Sequence, residues 1–322
     1  MTDDHQPLAF SNEPKTALDQ PPTPASAWDQ DSAKRALDEL FSLTFQYKSS
    51  KAYHELLQFV VRFRYYSPFN AMLVHIQMPG ARFVAPPHRW LSSYRRRIKQ
   101  GARPLVILQP MGPVMFVFDV GDTEPMKDAP PLPPEVIEPF AVRKGHVGGG
   151  LELVIENAKR DGIRITKSHE GSQSAGSICC VAEDVRESQK FQAGVDKDRN
   201  PVFVDIPVKY DLVVNKGLNR EAQYVTIVHE LAHLYCGHLG TPNPQWWPDR
   251  RGLNHIVREF EAESIAYLVS TRAGIDNPSE QYLAGYVGKQ EQVPPISLEC
   301  TMKAAGLIEH MGREKMKPRK SS

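Results

Sequence analysis

The chain has 322 residues, 41% of them apolar, with 39 lysines and arginines against 38 aspartates and glutamates. Such a balance excludes a polycation, and the apolar share excludes wholesale disorder. No apolar run reaches the ~18–20 residues a membrane-spanning helix needs, and MTDDHQPLAF has neither a basic start nor an apolar stretch, so a cytoplasmic protein with no membrane partner is expected.

Residues 1–27 are polar, carry Pro7, Pro14, Pro21, Pro22 and Pro24, and read as a disordered tail. A helical period starts at Asp31 with Leu37, Leu40, Phe41 and Leu43. A second helix is predicted over 51–65, with Leu56, Leu57, Val60 and Phe63 on one side. Ser67-Pro68 suits a helix cap followed by a first helical residue. A short helix over 87–98 precedes strands at 104–108 and 114–120, joined by a turn carrying Gly112. The six prolines of 121–139 remove backbone donors and forbid a helix, which marks a linker.

The second half opens with a helix over 150–161 and strands near 163–166, 176–182 and 210–215. Asn219 suits the cap of a helix over 220–236. A loop over 238–252 carries Trp246 and Trp247, and helices follow over 254–272, 279–287 and 296–312. The expected class is α+β. It divides into a tail (1–27), a helical and β-hairpin unit (28–120), a proline-rich linker (121–145), a mixed α and β unit (146–312) and a solvated basic tail (313–322). Cys179, Cys180, Cys236 and Cys300 form no CxxC pair, so a cysteine-based zinc site or disulfide framework is not expected.

The chemistry concentrates in His229-Glu230-Leu231-Ala232-His233. Residues four apart share a helical face, so both imidazoles reach one metal ion, and Glu230 is placed to hold a water and move its proton. A catalytic zinc takes three protein ligands. His238 is off register for a histidine ten residues after the first, and Leu239 stands there instead. His255 suits a surface or capping role better. Glu259 and Glu263 share a face of the 254–272 helix, while Glu261 points about 200° away from Glu259. Glu259 is the favoured third ligand, with Glu263 orienting a histidine by accepting its free N–H. Glu263, Glu261 and His255 remain open as ligands. One zinc per chain and hydrolysis of a peptide bond in a protein or peptide substrate are the expectation. The strand at 210–215 is a candidate edge for pairing with that substrate. Tyr224, Tyr235, His255 and Tyr267 are candidates to stabilise the transition state.

Residues 150–274 resemble the ImmA/IrrE family of gluzincin metallopeptidases. The likeness lies in Tyr210–Asn215, in His229–His233 and in Glu259-x-Glu261-Ala-Glu263-x-Ile265-Ala266. It implies a zincin-like domain with Glu259 as third zinc ligand, and DNA-binding regulators among the targets. Glu263 stands where that family has Asn or Asp, and Ile265 where it has Phe. The remainder is similar to ArdC antirestriction proteins, in Ser67 to Asn70, Trp90, 101–107, 282–287 and 301–307. That likeness implies an amino-terminal domain binding single-stranded DNA.

Arg89, Arg95, Arg96, Arg97, Lys99 and Arg103 form a basic cluster beside Trp90, Tyr94, Tyr65 and Tyr66. Cations on phosphates and bases stacked on aromatic faces hold single strands in this way. Trp90 and Tyr94, four apart on a helix, equally suit a core. The alternative to a peptidase is thus a single-stranded-DNA-binding, antirestriction-type protein whose metal is structural or idle.

Overall fold

The computed structural model describes residues 47–109, 112–132, 136, 146–168, 175–275, 283 and 292–319. The expected tail 1–27, the helical period from Asp31 and nearly all of the 279–287 helix lie outside them. The class is α+β.

Helix α1 (Ser50–Arg62) is capped by Ser49, whose hydroxyl accepts from the N–H of Ala52. Helix α2 (Pro68–Gln77) starts as its sequence predicts, with Ser67 as cap and Pro68 in the first turn. Strand β1 (Val84–Ala85) leads to α3 (Pro87–Tyr94). This helix is shorter than expected because Arg95 is left-handed (φ 49°), and the chain leaves as strand β2 (Arg96–Ile98). Strands β3 (Leu105–Gln109) and β4 (Gly112–Asp119) form the predicted hairpin, and β1 pairs with β4 to give the order β1-β4-β3.

The proline-rich stretch differs from its expectation. It opens with a 3-10 turn over Val120–Asp122 and with β5 (Thr123–Pro125), which pairs antiparallel with β2. Nor does it divide the molecule into separate cores. Leu56, Val60, Met72 and Leu73, before it, share one buried cluster with Leu231, Phe260, Ile265 and Ile308, after it. Tyr53 of α1 donates its hydroxyl to Ser264 at 2.8 Å. Arg272 donates to the carbonyls of Val60 at 2.5 Å, Phe63 at 3.2 Å and Tyr66 at 2.7 Å, and pairs with Glu309 at 2.9 Å. Carbonyls left over at the end of α1 thereby find donors on another helix.

Helix α4 (Gly150–Ala158) and strand β6 (Ile163–Ser168) follow. Strand β7 (Gly176–Cys180) precedes a hairpin that the sequence reading missed, β8 (Ser188–Val195) with β9 (Pro201–Pro207). Strand β10 (Tyr210–Asn215) then pairs parallel with β6 and antiparallel with β7. It is therefore the middle strand and not the expected edge. Buried Tyr210, Leu212 and Val214 suit the centre, while β7, exposed or half-buried throughout, forms the edge. Helices α5 (Arg220–Tyr235), α6 (His255–Arg272) and α7 (Leu298–Met311) complete the chain, with caps from Asn219, Asn254 and Ser297.

The basic tail is docked, against expectation. The backbone N–H of Met316 donates to Asn157, and Arg319 pairs with buried Asp161 at 2.6 Å while lying over both Trp246 and Trp247. No described helix is long and apolar enough to cross a membrane.

Candidate metal centre

Helix α5 is held by packing on its inner side, where Tyr224, Ile227, Val228, Leu231 and Leu234 are buried. The opposite face presents His229, Glu230 and His233 to a cleft of about 330 Å³. Helix α6 runs antiparallel to α5, so Glu263 lies beside His229 and Glu259 lies beside both histidines. Antiparallel pairing is what lets residues 30 positions apart converge on one point.

The three donors make a small triangle. His229 Nε2 is 3.2 Å from His233 Nε2, and Glu259 oxygens lie 3.6 Å and 3.5 Å from those two nitrogens. A tetrahedral zinc with donors about 2.0–2.1 Å away spaces them by about 3.3–3.4 Å. Two imidazoles and a carboxylate at that spacing fit zinc in size and donor chemistry. Glu263 Oε1 lies 3.5 Å from His229 Nδ1, the side of the ring away from the triangle. His255 is exposed and reaches Glu259 at 3.3 Å instead of joining the histidines.

The electrostatics follow from burial and crowding. Burial pushes the Glu230 carboxyl up, and Glu259 adds to that, against a hydrogen bond from the Ile178 backbone. Burial, with His229 beside it, pushes His233 down to about 3, which keeps its ring neutral. Burial also disfavours a charged His229, but Glu259, Glu263 and Glu230 outweigh it and raise the ring. The hydrogen bond with His229 leads in holding Glu259 low.

A second layer was not visible in the motif. Helix α5 ends in a left-handed Gly237 (φ +77°), where the N–H of Gly237 bonds to Leu234 and that of His238 bonds to His233. This is the Schellman arrangement, which returns the chain over the last helical turn. Only glycine fits, because a Cβ there would lie 2.0 Å from the Pro248 carbonyl oxygen. The turn sets His238 Nδ1 2.9 Å from His233 Nδ1. His238 Nε2 in turn lies 2.9 Å from Glu261. Glu261 is fully buried and accepts two bonds from Arg250, each 2.7 Å, and one from the Ser297 N–H. Burial works against its charge, but these donors together hold the carboxyl below its usual range.

The protons can then be placed. Ionised Glu261 only accepts, so a neutral His238 carries its proton on Nε2 and accepts on Nδ1. His233 donates from Nδ1, and its Nε2 lone pair is free to face Glu259 and His229. Cys236, His238 and Glu261 also bring donors within 4.8 Å. There the acid and the imidazole are already engaged by Arg250, Ser297 and His233, and the Cys236 thiol is hydrogen-bonded to Cys300.

Gly176, Ser177 and Ile178 of edge strand β7 line the same cleft, with Leu239 and Arg258. A Cβ at Gly176 would meet the Val213 carbonyl at 2.7 Å and Thr226 at 2.6 Å, so glycine permits the close approach. Tyr224, Tyr235 and Tyr267, considered as transition-state stabilisers, are buried and do not line the cleft, and Tyr235 gives its hydroxyl to Asp161.

The expected nucleic-acid face is altered by burial. Trp90 is fully buried and donates its ring N–H to the Phe118 carbonyl, while Tyr94 packs against it and Phe83. Neither ring can receive a base. Around them, Arg95 pairs with Asp128, Arg96 bonds to Thr123 and Lys99 to the Gly121 carbonyl. Arg97 and Arg103 are exposed, and Arg89 is half-buried.

No family model matches the chain, and no curated protein matches it. Among solved structures, it aligns distantly with a crystal structure of the metal-free antirestriction ArdC protein from plasmid R388. The identity is 12% and the TM-score 0.30, over 76% of this chain and 82% of that one.

Proposed function

We propose that this protein is a zinc-dependent endopeptidase acting on a protein or peptide substrate. The observation that carries the reading is the triangle of His229, His233 and Glu259 with Glu230 beside it in one cleft. When bound, zinc supplies a Lewis acid that polarises a carbonyl and acidifies water. His229 and His233 present ring nitrogens, and Glu259 contributes the charge that favours a divalent ion. Glu230, with a raised pKa, is suited to take a proton from the attacking water and deliver it to the leaving amine. Among the described residues strand β7 is an edge of its sheet along the cleft, where an extended peptide adds as a further strand and is held by main-chain hydrogen bonds.

The test is Glu230→Gln in the full chain. Purified protein should keep about one zinc per chain and lose cleavage of a quenched degenerate peptide library by at least about 10²-fold. Unchanged cleavage removes Glu230 as base, and wild type without bound zinc removes the reading.

A second reading is antirestriction by binding single-stranded DNA, with the metal structural or idle. Exposed Arg95, Arg97, Lys99 and Arg103 favour it through phosphate contacts, although buried Trp90 and Tyr94 take away its stacking half. Under this reading antirestriction survives Glu230→Gln, and oligonucleotide binding weakens steeply with salt.

A further inference from the structure

The cleft contains an arginine with no ion-pair partner among the described residues. Arg258 precedes Glu259 on α6 and lines the cleft with His229, Glu230 and His233. Its Nε is shut off from solvent and has no hydrogen-bond acceptor. Among the described residues, none of its nitrogens pairs with a carboxylate. Arg250 and Arg272 show the usual outcome, since each guanidinium group meets a glutamate within 2.9 Å.

A guanidinium that lines a cleft without a paired acid is open to a ligand that supplies one. The guanidinium is a planar fork that matches a carboxylate with two parallel bonds. Its neighbours in the cleft are the proposed base and the proposed metal ligands. A ligand group meeting Arg258 is therefore carried close to the reacting bond.

We propose that Arg258 binds a carboxylate of the substrate, so that the site selects peptides with an acidic group close to the bond to be cut. This rests on the peptidase reading for its meaning, while its test needs no turnover. The carboxylate has two sources, an Asp or Glu side chain or a free carboxyl terminus.

The experiment uses the zinc-loaded full chain carrying Glu230→Gln and labelled degenerate nonapeptide pools, with binding read by fluorescence anisotropy. One pair of pools differs by Asp or Asn at the central position, and a second pair by a free or amidated carboxyl terminus. At least one acidic pool should bind about tenfold or more tighter than its amide partner, and the pair that shows the difference identifies the source. Arg258→Met on the same background should remove most of that difference at unchanged zinc content. Arg258→Lys, which keeps the charge but not the fork, should retain some of it.

Equal affinity within both pairs, no measurable binding of any pool, or a preference that survives Arg258→Met overturns the proposal. The acid–amide comparison with Arg258 intact decides even where a variant fails to fold. Cleavage by wild type is scored separately. Cleavage without carboxylate preference defeats this inference alone, and preference without cleavage defeats the peptidase reading alone.

Discussion

The 2.9 Å contact between His238 Nε2 and Glu261 Oε2 holds the His238 ring so that its Nδ1 lies 2.9 Å from His233 Nδ1. Removing either partner should free the His233 ring to rotate or change tautomer. His238→Ala and Glu261→Gln should each weaken zinc binding by about 10–100-fold, measured by chelator competition. Unchanged affinity in both variants would show that the contact orients nothing.

Glu259→Ala should leave only the two imidazoles. Metal content after dialysis should fall from about one zinc per chain to well below it. Glu263→Gln should keep the metal and lose only affinity, because its oxygen faces the far side of the His229 ring. If Glu263→Gln emptied the site while Glu259→Ala did not, the two glutamates would exchange roles.

Trp90→Ala should cost about 3–5 kcal/mol of stability in urea unfolding, because the indole is fully enclosed and its N–H is bonded to Phe118. Trp90→Phe should cost less and leave any oligonucleotide binding intact. Selective loss of DNA binding in a stable Trp90→Phe protein would show that the ring reaches nucleic acid.

The docked tail predicts an acid response. Burial alone would raise the Asp161 carboxyl, but Arg319 and Arg160 outweigh it and hold it below the usual range. A depressed folded pKa stabilises the native state above the unfolded value of about 3.9, and that contribution is lost as pH falls through the folded one. Arg319→Gln should cost roughly 1.5–3 kcal/mol at pH 7, and the gap from wild type should narrow as pH falls below the unfolded carboxylate value of about 3.9. A gap that is constant with pH would place the effect of Arg319 in its packing on Trp246 and Trp247.

Local regularities were legible and returning ones were not. The positions of His229, His233, Glu259 and Glu263 follow from helical period, and Ser67 and Asn219 declare their helices through cap chemistry. Glu261 looked equally helical, but only the fold shows that its side faces Arg250 and the Ser297 N–H. A signal for His238 existed: a glycine directly after the helix implies a Schellman turn, which brings the next residue back to position 233. The edge strand was misplaced because strand order depends on which segment has two buried neighbours, and pairing partners are distant in sequence. The 188–207 hairpin was missed although PVFVDIP carries strand-forming residues after a polar turn. Arg258 directly precedes the motif that starts at Glu259, but an unpaired guanidinium is a property of surroundings.

Arg272 leaves the chain no seam at its prolines. Cleave it there, and the carboxyl-terminal piece keeps an arginine shaped to grip carbonyls it has lost, while the apolar backs of α1 and α2 are turned to water. Neither piece is a portable module, so grafting the metal-bearing half onto another protein would require carrying both leading helices with it.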